Sequence, residues 1–138
     1  MSDLHRLLED VSHLLDALAG VSVLDRHVRE SQAIFHIDIR NDVATYQLQR
    51  LCTAANVELT PAPHSKEHQE LQTDNIRRFS IRANCRPFDF IDFGYLQLLG
   101  VHLVWHLHGV GVLSPDAANT RLRRWRASEV GVRASGGP

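Results

Sequence analysis

The residues with the clearest chemical potential are three histidines in one short segment, V-H-L-V-W-H-L-H over 101–108. Side chains alternate between the two faces of a β-strand. Read as a strand, the segment has an apolar row on one face and His102, His106 and His108 on the other. Imidazole binds metal ions, transfers protons and changes charge near neutral pH. The sequence therefore predicts that the function lies on the face that carries these rings.

Metal binding is one chemistry that this pattern predicts. His106 and His108 are two positions apart, which separates their β-carbons by about 7 Å on a strand. Two imidazoles at that spacing share a divalent ion such as Zn²⁺, Mn²⁺ or Ni²⁺, with His36 or Asp38 of a neighbouring strand as a third ligand. An open coordination position would activate water, with His102 as a candidate acid or base. The alternative is a row of polar side chains that only face solvent.

The string His106-Leu107-His108 resembles the His-hydrophobe-His motif of rolling-circle replication and transposition nucleases. Those enzymes use a tyrosine nucleophile. Here Tyr46 and Tyr95 are predicted on helices behind the sheet, and no tyrosine follows the motif. The chain is therefore not assigned to that family, and a metal-dependent phosphodiesterase that uses water is kept as an alternative function.

Hydrophobic spacing predicts the elements that must position these residues. Helical spacing of apolar residues, with capping residues before them, indicates helices. Strict alternation indicates strands, and 21–28 fits neither pattern clearly. The predicted helices are 3–19, 43–56 after a cap at Asn41 or Asp42, 87–99 ended by Gly100, and 115–127 after Ser114. The predicted strands are 33–40, 57–59, 75–84 and 101–108.

The order of these elements predicts the fold. From 33 to 108 it reads strand, helix, strand, strand, helix, strand, which is the pattern of ferredoxin-like α+β domains. Such a domain has a four-stranded antiparallel sheet with both helices on one face. We expect one domain over 1–127, with that core and added terminal helices, and a disordered tail over 128–138.

In this arrangement strand 33–40 lies between strands 75–84 and 101–108. The sheet face turned away from the helices, which we call the polar face, then gathers charged and imidazole side chains from all three strands. They are His36, Asp38, Arg78, Arg82 and His102, beside His106 and His108. As a binding surface, this face would recruit an acidic partner or ligand, more tightly as pH falls.

Composition limits the class of protein. The 138 residues are 43% hydrophobic with a net charge of −1, so no overall charge favours nucleic acid or a membrane. Arg121, Arg123, Arg124 and Arg126 make the last helix basic, which keeps nucleic-acid binding as a second alternative. The polar start of the chain, the lack of a long apolar run and two widely spaced cysteines, Cys52 and Cys85, predict a cytoplasmic protein with free thiols.

The first helix leaves two alternatives open. Its leucines fit heptad positions for two and a half heptads, so it either packs against its own domain or forms a dimer seam. The favoured function is a small binding, adaptor or regulatory module that self-associates or binds another protein. The sequence leaves open whether it is an enzyme.

Overall fold

The computed structural model of the protein describes residues 3–62, 76–84 and 94–136, with side chains described from 4 to 125 in those ranges. These residues form an α+β arrangement of four helices and four strands. The helices are α1 (Asp3–Asp16), α2 (Asp42–Ala54), α3 (Gly94–Gly109) and α4 (Pro115–Gly136). The strands are β1 (Val21–Arg29), β2 (Gln32–Ile39), β3 (Glu58–Pro61) and β4 (Arg77–Asn84).

The four strands form one antiparallel sheet in the order β1-β2-β4-β3. β1 and β2 are joined by a two-residue turn, in which Glu30 and Ser31 both have positive φ, at 52° and 65°. Two positive φ values are what a type I′ turn requires, and its twist matches that of the flanking strands. The helix α2 then connects β2 to β3 at the far edge of the sheet, and β4 fills the position between them.

The prediction that strand 33–40 lies beside strand 75–84 is correct. The strand predicted at 33–40 neighbours the one predicted at 75–84, which neighbours the short one at 57–59. The remaining edge is occupied by β1 from the N-terminal side and not by 101–108. The specific ferredoxin-like fold is therefore not confirmed, although the α+β class and the antiparallel sheet are.

The core lies between the sheet and the helices α1, α2 and α3. β2 contributes every second residue, Phe35 and Ile37 among them, and their partners on β4 are Ile81 and Phe79. Asn41 caps α2 by accepting a hydrogen bond from the Ala44 amide at 2.7 Å. Ser114 caps α4 in the same way through the Ala117 amide. Both caps agree with the sequence prediction.

The predicted strand over 101–108 is wrong, because these residues belong to α3. Leu96, Leu99, Leu103 and Leu107 recur at helical spacing, and all four are fully buried. Alternation over eight residues also fits a strand, and a short apolar run cannot separate the two periods. The helix does not end at Gly100, whose backbone lies against the Trp125 ring of α4.

The structure also bears on the predictions made for the first helix and for the C-terminal residues. The leucines of α1 are buried within the domain, so they are not available as a dimer seam. The backbone of α4 extends to Gly136, into the range for which the sequence predicts a disordered tail. Cys85 and the start of the helix predicted at 87–99 lie outside the described residues. No helix in the described ranges has the length and apolar character needed to cross a membrane.

Candidate functional site

The polar face is built from paired residues of β1, β2 and β4. His36 lies opposite Ser80, and Asp38 lies opposite Arg78. Since the described helices contact the other side of the sheet, these side chains point away from the main core. Ile34 and Ser80 are nevertheless buried, so the floor of this face is shielded from water. The polar face of the sequence prediction therefore exists for β2 and β4.

A β-bulge in β1 brings two further residues to this face. Val23 lies opposite Ile37 and Asp25 lies opposite His36, so Leu24 is an extra residue on β1. Without an extra residue, strict alternation from Val23 would direct Asp25 towards the helices. The bulge reverses the alternation, and Asp25 and His27 join His36 on the polar face.

The three side chains converge into one cluster, which we call the Asp25 cluster: Asp25, His27 and His36. Asp25 Oδ1 lies 2.6 Å from His36 Nδ1 and 3.8 Å from His27 Nδ1. The two imidazole rings have centroids 5.5 Å apart, with their planes tilted by 40°. Within the described ranges, it is the only group of three or more histidine, cysteine, aspartate or glutamate residues whose possible ligand atoms all lie within 4.8 Å of one another.

The short contact fixes the role of each atom. An ionised carboxylate only accepts hydrogen bonds, so His36 Nδ1 donates its proton to Asp25 Oδ1. This bond orients the ring of His36. Two imidazoles and one carboxylate are a donor set that suits Zn²⁺ and other divalent transition metals. Asp25 and His27 are exposed and His36 is half-buried, so an ion can reach the cluster from solvent.

The other predicted residues of the polar face have separate roles. Arg78 Nε donates to Asp38 Oδ1 at 2.9 Å, with a second, longer contact from Nη2 at 3.4 Å. Asp38 is therefore engaged in an ion pair and is not part of the Asp25 cluster. Arg82 is exposed, opposite Ile34, with Glu58 of β3 on its other side.

The predicted histidine site is not assembled. His102, His106 and His108 lie on α3, on the helical side of the sheet. Residues two apart on a helix point in directions about 200° apart, so His106 and His108 cannot share an ion as strand residues would. His108 Nδ1 lies 3.2 Å from the Leu113 carbonyl oxygen, to which it can donate at the end of α3. The structure therefore does not bring together the predicted metal ligands His106, His108 and Asp38.

Sequence reasoning did not identify Asp25 and His27. Their segment reads V-S-V-L-D-R-H-V, in which Val21 and Val23 follow one alternation and Val28 the opposite one. That change of parity is the signal of a bulge, and it made the segment ambiguous when read as a regular strand.

Two of the arginines of α4 form ion pairs within the domain. Arg121 and Arg124 approach the buried carboxylate of Asp10 on α1, at 3.6 and 3.2 Å. They line an open cleft of about 650 Å³ between the two helices. This role in joining α1 to α4 explains part of the basic character that kept nucleic-acid binding open.

Comparisons with models of protein families, with curated proteins and with solved structures found no match to this chain.

Proposed function

We propose that the protein is a small binding module whose polar face coordinates a divalent transition-metal ion through Asp25, His27 and His36. The single observation that supports this function is the convergence of three donor atoms within 4.8 Å of one another. The site belongs to β1 and β2, which are joined by a tight turn, so it is held by a continuous hairpin. The cytoplasm is the location that we expect for the protein.

The cluster needs only a small rearrangement to hold an ion. In a tetrahedral zinc site with bonds of about 2.1 Å, neighbouring ligand atoms lie roughly 3.4 Å apart. The Asp25–His36 contact of 2.6 Å must widen, the Asp25–His27 contact of 3.8 Å must shorten slightly, and the donor atoms of the two imidazoles, which lie within 4.8 Å of each other, must also reach that distance. Exposed side chains on a strand make such changes by small rotations. The ion replaces the proton that the carboxylate and the imidazole share.

Calorimetric titration with Zn²⁺, Ni²⁺ and Mn²⁺ tests the proposal. We expect one site per chain for Zn²⁺ or Ni²⁺, and weaker binding to Mn²⁺, which prefers oxygen ligands. Asp25→Asn, His27→Ala and His36→Ala should each weaken binding about tenfold or more. His13→Ala, which removes an exposed imidazole on α1, should leave the affinity unchanged. So should His106→Ala combined with His108→Ala. Equal affinity in all variants, or no heat with the natural chain, contradicts the proposal.

Two broader expectations remain predictions. A metal-dependent phosphodiesterase would use the same ion, because three protein ligands leave a position for water. Metal-dependent cleavage of bis(p-nitrophenyl) phosphate, lost in His36→Ala, would favour that alternative over simple binding. Recruitment of an acidic ligand would depend on Arg82, since Arg78 is paired with Asp38.

A further inference from the structure

The helix α3 is apolar on both of its sides. One side supplies the buried leucines of the core. The other side carries Tyr95, Leu98, His102 and Trp105, at spacings of three and four residues, and we call these four residues the ridge. Tyr95 and Leu98 are each 40% exposed and Trp105 is 54% exposed. A helix that is apolar all round is normally covered on all sides. Since large exposed apolar surfaces mark interaction sites, the ridge indicates a missing partner.

Charge identifies the kind of partner. From Gly94 to Pro115 the chain contains no aspartate, glutamate, lysine or arginine. A partner surface with fixed charges would lose hydration against this ridge and find no opposite charge. A second copy of the ridge has no fixed charge that would lose its hydration in this way. We propose that the ridge is the interface through which two copies of this chain form a homodimer.

The ridge is compatible with two-fold symmetry. In such an interface the same patch faces itself, so residue i of one copy contacts residue j of the other, and the reverse. An axis that crosses α3 midway between Leu98 and Trp105 sets two antiparallel helices against each other. Each Trp105 then packs on the partner's Leu98. Tryptophan is among the residues that most often dominate the binding energy of an interface.

The available area is of the right order. Val110 and Val112, just beyond the end of α3, are also exposed. Counted with Tyr95, Leu98 and Trp105, they expose on the order of 450 Å² of residue surface, over half of the ~800 Å² that each partner buries in a standard interface. The homodimer does not depend on the metal site, because the ridge is on α3 and the Asp25 cluster is on the opposite face of the sheet.

Light scattering coupled to size exclusion, with sedimentation at a series of concentrations, tests the dimer. The natural chain should show twice the monomer mass of 15.6 kDa. Trp105→Lys and Leu98→Glu should each weaken dimerisation on the order of 30-fold, as loss of a dominant interface residue does. Both positions are exposed, so circular dichroism should show an unchanged fold. Leu24→Lys, an exposed apolar residue on β1, is the matched control and should remain dimeric.

Mixing the two ridge variants tests the pairing itself. In a mixed dimer, the lysine at 105 of one copy faces the glutamate at 98 of the other, and the second pair keeps its natural residues. The mixture should therefore form the dimer at concentrations at which each variant alone is monomeric. A natural chain that stays monomeric at 100 µM (on the order of the concentrations at which weak dimers assemble), ridge variants that remain dimeric, or a mixture that stays monomeric would overturn the proposal. Dissociation by Leu24→Lys alone would place the interface at the sheet edge and overturn it as well.

Discussion

Asp10 on α1 accepts a hydrogen bond from Trp125 Nε1 on α4 at 3.1 Å, across 115 positions of the sequence. The carboxylate is buried, and Arg124 donates to its other side at 3.2 Å. This one side chain therefore joins the two ends of the chain. A buried indole N–H without an acceptor costs about 1–3 kcal/mol.

We expect Asp10→Ala to lower the free energy of unfolding by about 2 kcal/mol, because the Trp125 indole and the Arg124 guanidinium lose their acceptor and Arg121 loses its ion-pair partner. Asp10→Asn keeps an acceptor oxygen and should cost less. The neighbouring Glu9→Ala serves as the control. Urea denaturation measures all three variants. An Asp10→Ala protein as stable as Glu9→Ala would show that this contact does not hold α4 in place.

A second contact between α3 and α4 depends on the absence of a side chain. A β-carbon on Gly100 would lie 2.8 Å from the Trp125 ring. Gly100→Ala should lower stability by about 1 kcal/mol, because overpacking outweighs the better helix propensity of alanine. Gly109→Ala, where a β-carbon meets no atom within 4 Å, should be neutral or slightly stabilising. Thermal unfolding compares them, and equal midpoints would contradict the close approach.

The same glycine explains why the sequence prediction failed at α3. The sequence predicts a helix end at Gly100, because glycine often follows the last turn of a helix. Here it permits the close approach of Trp125, a contact between residues far apart in sequence that no local pattern reveals. With a helix end at Gly100, the alternation that follows favours a strand. The apolar residues fit both the helical and the strand period, and the tertiary contact that distinguishes the two is not visible in the sequence.

β2 and β4 were predictable for the opposite reason. Each alternates without interruption, and the described helices pack on its apolar face, so one period fits the whole strand. Four residues of the candidate surface, His36, Asp38, Arg78 and Arg82, follow from that alternation. The other two, Asp25 and His27, come from β1, where a single extra residue reverses the alternation and hides them from a periodic analysis.

Cys52 provides a prediction that depends on pH. Burial raises the pKa of the Cys52 thiol to about 12, since the thiolate loses hydration inside the domain. In a Cys85→Ser protein, the remaining thiol should not react with a disulfide reagent at pH 8 until denaturant is added. Rapid labelling of the native protein would contradict the burial.

The sign of the effect on stability follows from the same shift. Below the usual thiol pKa of about 8.5, Cys52 is neutral in both the folded and the unfolded chain, and its contribution does not vary. Above that value the unfolded chain ionises first, so the stability supported by the buried thiol falls as pH rises towards about 12. Cys52→Ala, compared with the natural residue in the Cys85→Ser background, should lose less stability over this alkaline range.

The extra residue of β1 gives the sharpest test of how the Asp25 cluster is formed. If Leu24 is deleted, Asp25 follows Val23 directly and still lies opposite His36, because a regular ladder then has the alternation that the bulge now supplies. The deletion variant should stay folded, with stability within about 1 kcal/mol of the natural chain, and bind Zn²⁺ within roughly threefold of its affinity. Substituting Leu24 by alanine should also preserve binding, since its side chain is exposed. A folded deletion variant that binds no metal, beside an alanine variant that does, would mean that the bent backbone of the bulge, and not only the face on which Asp25 lies, is needed to place the ligands.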